Sequence, residues 1–286
     1  MSAERISTGL EWVDPTKPTK FTDRAMKKSL VLMLGLLGLC FLAVAGCEQK
    51  KVQPEEFFFY AIDRTEIRGD LYIPHLRERI PPLVILLHMY SHSRKDYDRF
   101  VPLLTSQGYA VLSLDLRGHG ASTKRGGESL DYLYPEKVAF RLLPLDIEFA
   151  LNALKPYLGR IDIDRVGIVG ANIGANAGLI AAGGNPKIKA LVLVSPGLSY
   201  HELKTEQSAG RLMDTAVLLI CSRGDNYSLS SCQRLSFVMP TLKKETRLVE
   251  GSDQGNKLLA KMPELNKYIA SWIKKNLPAR RPDQIE

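Results

Sequence analysis

The sequence predicts an α/β fold: a mostly parallel central sheet of about eight strands, helices on both faces and no large lid. Three observations carry this. Strand-like and helix-like segments alternate from residue 55 to near the C-terminus. Some strand-like segments, above all 83–88 (Leu-Val-Ile-Leu-Leu-His), are apolar throughout, as a strand covered on both faces must be. The 286 residues are 45% apolar and 24% charged, which excludes a disordered chain, a collagen-like repeat and a disulfide-dense miniprotein. A chain of this length buries one large α/β core or two small ones.

The elements follow in order. Residues 56–60 and 67–73 read as an opening hairpin, and 83–88 as a buried strand. Helical spacing of Tyr97, Phe100, Val101, Leu103 and Leu104 predicts a helix over 94–107. Strand 109–116, helix 136–154, strand 166–169 and helix 173–182 come next. Strand 188–194 and a short helix over 206–213 precede strand 216–221. Helix 228–237, strand 246–249 and helix 264–276 complete the set. The short interval between strands 188–194 and 216–221 leaves no room for a lid domain, so any site there is open. The sequence contains no internal repeat and no low-complexity segment.

Ahead of this domain, expected over 55–280, lies a segment with a different pattern. Lys27 and Lys28 precede the apolar run 30–45, which ends Val44-Ala45-Gly46-Cys47. A basic start, a short apolar stretch and small residues at its exit form a secretory signal, over 26–46. The run is shorter than the ~20 residues a spanning helix prefers. Its last four residues resemble a bacterial lipobox, which implies lipidation at Cys47, a tether over 47–54 and membrane lipid as a partner. An uncleaved signal anchor is the alternative. Residues 1–25 are a mis-assigned start, with translation from Met26, or a short extension. The expected location is the bacterial cell envelope, and Glu48 after Cys47 points to the outer membrane. Removing 1–46 lowers the formal charge from +8 to +6. No block of basic residues suggests nucleic acid. Cys40 and Cys47 belong to the leader, leaving Cys221 and Cys232 as buried thiols or a disulfide pair.

Gly170-Ala171-Asn172-Ile173-Gly174 falls between a strand and a helix, with the spacing of a nucleophile elbow, G-x-S-x-G. Leu86-Leu87-His88-Met89-Tyr90 looks like the segment after a third strand that supplies an oxyanion-hole amide. Asp115-Leu116-Arg117-Gly118-His119-Gly120-Ala121-Ser122 matches a D-x-R-G-x-G-x-S loop. With these motifs in order over 56–277, the chain resembles α/β-hydrolases, in the small-lid group with dienelactone-hydrolase-like and serine-aminopeptidase-like members. The resemblance implies a triad in the order nucleophile, acid, histidine. Its positions here are Asn172, Asp225 in Arg223-Gly224-Asp225-Asn226, and Gln254 in Val249-Glu250-Gly251-Ser252-Asp253-Gln254-Gly255. A carboxamide is not activated by losing a proton, and glutamine cannot shuttle one as imidazole does.

The resemblance therefore implies a vestigial triad in a lipid-anchored pseudoenzyme with a binding or envelope role. The alternative is an active serine-hydrolase-type esterase or peptidase for small esters or amides. That reading needs unrecognised residues, such as a relocated Ser91 or Ser195 paired with His92 or His201, or a water activated near Asp225; His88 and His119 stand where structural histidines are common, and His75 is the fifth. The backbone oxyanion donors would be the N–H of Ile173 and that of Tyr90 or Met89, fit for a small acyl or carbonyl ligand unless the Asn172 side chain fills the space. Asparagine at the apex is also expected to ease strain, because it tolerates the left-handed region. No cofactor and no metal are expected, since no His, Asp, Glu or Cys cluster has ligand spacing. Nothing in the sequence names a protein partner.

Overall fold

Apolar runs bounded by turn residues become strands in the computed structural model, which describes residues 51–76, 79–134 and 138–279. The leader, Cys47 and the first part of the tether lie outside the described residues. β1 (Glu55–Tyr60) and β2 (Thr65–Tyr72) form the expected antiparallel hairpin. Five strands then run parallel to one another: β3 (Pro82–Leu87), β4 (Ala110–Leu114), β7 (Asp162–Ala171), β8 (Ile188–Val194) and β11 (Ala216–Ser222). β12 (Lys244–Val249) joins them at one edge, also parallel. Two-residue strands β5 (Lys124–Arg125) and β6 (Glu128–Ser129) extend the other end. The ten-stranded sheet has the order β12-β11-β8-β7-β3-β4-β2-β5-β6, with β1 paired to β2.

Alternate residues of each central strand feed two separate cores, because successive side chains leave a strand on opposite faces. In β3, Leu83, Ile85 and Leu87 join the core under α2 (Leu143–Ala153) and α3 (Ile173–Ala182), whereas Val84 and Leu86 face the other core. That second core is covered by α1 (Val101–Thr105), α6 (Gly255–Lys261) and α7 (Pro263–Asn276). The first also receives Cys232 and Leu235 of α5 (Asn226–Val238) and Ala209 of α4 (Glu206–Ala209). Cys221 and Cys232 are buried free thiols, and their mutual hydrogen bond lowers the pKa of Cys221 and raises that of Cys232.

Several boundaries differ from the sequence reading for local reasons. The helix expected over 94–107 is a 3₁₀ turn, Arg94–Tyr97, followed by α1, because Pro102 lacks the N–H to continue a helix and can stand only in a first turn. The helix expected from 136 is broken by Ala139, whose φ is 52°, and α2 starts only at Leu143 with Pro144 in its first turn. Residues 136 and 137 of that expectation lie outside the described residues. Gly210 ends α4 after one turn. The interval 195–215 also holds a hairpin that sequence patterning missed, β9 (Ser199–Tyr200) and β10 (Leu203–Lys204). His201 and Glu202 make its turn with φ of 44° and 70°.

Candidate functional site

β7 ends at Ala171, α3 begins at Ile173, and Asn172 stands alone between them. The turn is tight enough to dictate both flanking glycines. A Cβ on Gly170 would come within 2.5 Å of the Gly174 carbonyl oxygen, and one on Gly174 would strike the carbonyl of Leu87. Asn172 has φ 52° and ψ −114° and is 8% exposed. That ψ places it outside the left-handed helical region where asparagine is tolerated, so the expected easing does not follow. The apex keeps a strained backbone of the kind that costs about 1–3 kcal/mol, without a nucleophile to present.

Asp225 caps the N-terminus of α5. Its Oδ1 accepts the Ser228 N–H at 3.2 Å, while Oδ2 is buried with no partner and the residue is 5% exposed. Among the described residues no Lys, Arg or His pairs with this carboxylate. Gln254 is the residue before α6, where its carbonyl accepts the N–H of Lys257 at 3.1 Å. Three contacts carry its loop to the site. Gly224 N–H donates to the Gly251 carbonyl at 2.8 Å and Ser222 Oγ to the Asp253 carbonyl at 2.5 Å, beside Asp225. A Cβ on Gly255 would lie 3.5 Å from Cβ of Ala171 and 3.0 Å from Sδ of Met89, so the loop also reaches the elbow. The segments bearing Asn172, Asp225 and Gln254 thus converge at the carboxyl ends of β7, β11 and β12.

Sequence reasoning missed Tyr200. It sits in the β9–β10 hairpin, near enough to Asp225 for that carboxylate to act on its hydroxyl. Its pKa is pushed up to about 12, first by burial and then by the nearby Asp225 carboxylate. The Tyr200 ring meets Tyr227 edge-on at 5.4 Å, and the Tyr227 hydroxyl clamps Ser199 through its N–H (3.0 Å) and carbonyl (2.8 Å). Asn176 fixes the other side of the hairpin, with Nδ2 donating to the Leu203 carbonyl at 3.0 Å and Oδ1 accepting the Gly197 N–H at 3.0 Å. No spacing signal in the sequence marks a tyrosine brought in by so short a hairpin.

Of the two amides considered for the oxyanion hole opposite Ile173, that of Met89 is committed: it donates to Asn256 Oδ1 at 2.8 Å. Ile173 is the first residue of α3, so its N–H has no intrahelical acceptor by position. The Tyr90 ring stacks on His201 at 4.6 Å, and its hydroxyl donates to the Tyr132 carbonyl at 2.5 Å.

Two of the histidines are held at both ring nitrogens by the backbone, and two others make side-chain contacts. His88 Nδ1 donates to the Met89 carbonyl (2.7 Å), its Nε2 accepts the Leu116 N–H (2.9 Å), and burial pushes its pKa down to about 3. His119 Nδ1 donates to the Arg117 carbonyl (3.0 Å) and its Nε2 accepts the Ser91 N–H (3.1 Å); burial again lowers its pKa. Both rings brace loops as neutral imidazoles. His92 pairs with Asp96, and His201 packs on Tyr90 and Phe140. Ser195 Oγ is fully buried and accepts the Gly255 N–H at 3.0 Å, which makes it a loop anchor. Among the described residues no group of three His, Cys, Asp or Glu side chains could hold a metal ion.

A family model for acetyl xylan esterase (AXE1) matches residues 40–211. A comparison with curated proteins finds no match. Among solved structures, dienelactone hydrolase from Anabaena variabilis ATCC 29413 is 19% identical with a TM-score of 0.61, over 79% of this chain and 99% of that chain. Acetyl xylan esterase from Paenibacillus sp. R4 is 20% identical with a TM-score of 0.65, over 82% of this chain and 87% of that one. The Pyrococcus furiosus esterase Pf2001 is 19% identical with a TM-score of 0.61, over 81% and 96%. At these identities the likeness is one of fold, and it agrees with the α/β-hydrolase architecture expected from the motifs.

Proposed function

The chain belongs to the acetyl xylan esterase (AXE1) family, and from that premise we propose that it is a lipid-anchored, catalytically inactive member that binds a ligand in the bacterial envelope. One observation carries the inactivity: the strained apex where an α/β-hydrolase presents its serine holds Asn172. The carboxamide has no proton it can lose to become a nucleophile at physiological pH. Two features support the same reading. Asp225 Oδ2 is buried without the donor that a histidine would give it, and Gln254 stands at the base position. The Ile173 N–H at the start of α3 is a donor for a carbonyl or acyl oxygen held at the apex. The ligand class we favour is accordingly a small acyl or carbonyl compound.

The test is hydrolysis of p-nitrophenyl acetate and butyrate by the wild-type chain. Wild type is expected to be no faster than the uncatalysed background, and Asn172→Ala to be no different. Turnover by wild type that survives Asn172→Ala would replace this reading with an active esterase or peptidase using residues elsewhere.

Anchoring rests on the sequence Val44-Ala45-Gly46-Cys47 after a short apolar run. Each buried CH₂ of an acyl chain contributes about 0.8 kcal/mol, and one chain holds only weakly, so the two or three chains of a lipoprotein decide location. Cys47→Ser is expected to abolish lipidation and leave an unprocessed precursor or a soluble form in cell fractionation. Equal membrane retention of a cleaved Cys47→Ser protein would remove the lipoprotein reading.

A further inference from the structure

We propose that β12 is an interface strand, along which two copies of this chain pair antiparallel across a two-fold axis through Thr246 and continue one sheet into the other. Parallel strands are normally covered on both faces. β11 obeys this, being buried at every position, but β12 is exposed at every residue except Val249. Apolar side chains stand beside the same edge: Leu242 is 97% exposed, Phe237 80%, and Leu248 is also exposed.

The hydrogen-bond phase of β12 is fixed by its ladder to β11. Val217 N–H donates to the Lys243 carbonyl and Arg223 N–H to the Val249 carbonyl, both at 2.8 Å. In a parallel ladder the two backbone groups of a residue face the same neighbour, so 243, 245, 247 and 249 turn theirs toward β11. Residues 244, 246 and 248 turn theirs to the open edge. A second copy running antiparallel must therefore set these even-numbered residues opposite one another.

Among the registers of that phase centred on Glu245, Thr246 or Arg247, the charges favour one. With the axis on Glu245, Glu245 faces itself. With the axis on Arg247, Arg247 faces itself. With the axis on Thr246, Glu245 faces the partner's Arg247 and Arg247 faces the partner's Glu245, both in the close non-hydrogen-bonded pairs. The strand Lys-Glu-Thr-Arg-Leu-Val is thus self-complementary in this register. Its side chains are already placed: the Tyr268 hydroxyl bonds the Glu245 carboxylate, and the Arg247 guanidinium lies over the Tyr268 ring, 4.1 Å from its centroid. Lys244, which as an edge lysine could block pairing, instead folds back and donates to the Met239 carbonyl of its own chain at 2.6 Å.

The experiment co-expresses two full-length copies carrying different affinity tags and pulls one down after detergent extraction. Wild-type copies are expected to co-purify. Glu245→Arg copies should lose each other, as should Arg247→Glu copies, because each sets like charges across the axis. Glu245→Arg mixed with Arg247→Glu should recover at least half of the wild-type yield, since both cross-strand pairs are then opposite again. As a second measurement, Thr246→Cys is expected to give a dimer band on a non-reducing gel. Wild-type copies that do not co-purify, single variants that associate as wild type does, a mixture that stays apart, or no Thr246→Cys dimer would each overturn the proposal.

Discussion

Asn172→Ser combined with Gln254→His is expected to hydrolyse p-nitrophenyl acetate at roughly 10²-fold the wild-type rate, a modest share of what a paired nucleophile and base supply. Neither single change should move the rate, because a serine without its base stays protonated and a histidine without a nucleophile has nothing to activate. The parts that side-chain replacement cannot supply are already present. The apex backbone keeps φ 52° and ψ −114°. The Ile173 amide stands at the start of α3, and Ser195 Oγ holds Gly255 beside the elbow. Asp225 Oδ2, buried and without a donor, is the acceptor an imidazole Nδ1–H would find, which fixes the tautomer with Nε2 toward the serine. Initial rates of wild type, both singles and the double, each checked for folding by circular dichroism, decide it. A folded double variant no faster than wild type would sink the assignment of Asn172 and Gln254 to triad positions.

How much of this was legible in the sequence depends on the range of the interactions. The central strands and the elbow were readable because their signals are local: continuous apolar runs, and two glycines whose hydrogens alone fit against Gly174 and Leu87. Asp225 and Gln254 were assigned by chain order after a strand, and the structure brings the segments that carry them to the same end of the sheet. Tyr200 was not readable, because it depends on a hairpin turned by two residues of positive φ and clamped by Tyr227 and Asn176 from other elements. The commitment of the Met89 amide to Asn256, 167 residues away in the chain, carries no sequence signal at all. Helix starts were misjudged where apolar spacing ran through Pro102 and Pro144, since periodicity does not register a missing N–H.

Arg117→Met is expected to cost about 3–5 kcal/mol, because it removes one partner from a buried ion network and leaves the others uncompensated. Arg117 is fully buried at the centre of the Asp115–Ser122 loop. Its Nε and Nη2 donate to both oxygens of Asp146, at 2.8 and 2.6 Å, and its Nη1 to Asp63 at 2.9 Å. Burial pushes the Asp146 carboxyl up to about 6, against the pull of this guanidinium. A carboxyl raised in the folded chain holds its proton more tightly there than in the unfolded chain. Its contribution therefore favours folding below the ordinary carboxylate range and fades as pH rises through 6. Without Arg117 the carboxyl rises further, and at pH 8 it is either an unpaired buried charge or a proton taken up at a cost. At pH 5 it is simply neutral. The melting-temperature deficit of Arg117→Met should therefore be larger at pH 8 than at pH 5. Arg117→Lys should recover little, since one ammonium cannot span Asp146 and Asp63 together. The network also reaches the candidate site, because the same loop presents His119, which stacks on Tyr132 at 4.6 Å and lies edge-on to Tyr90 at 5.4 Å. Thermal unfolding of wild type and both variants at the two pH values tests this, and equal deficits at pH 5 and pH 8 would show that Asp146 does not carry the cost.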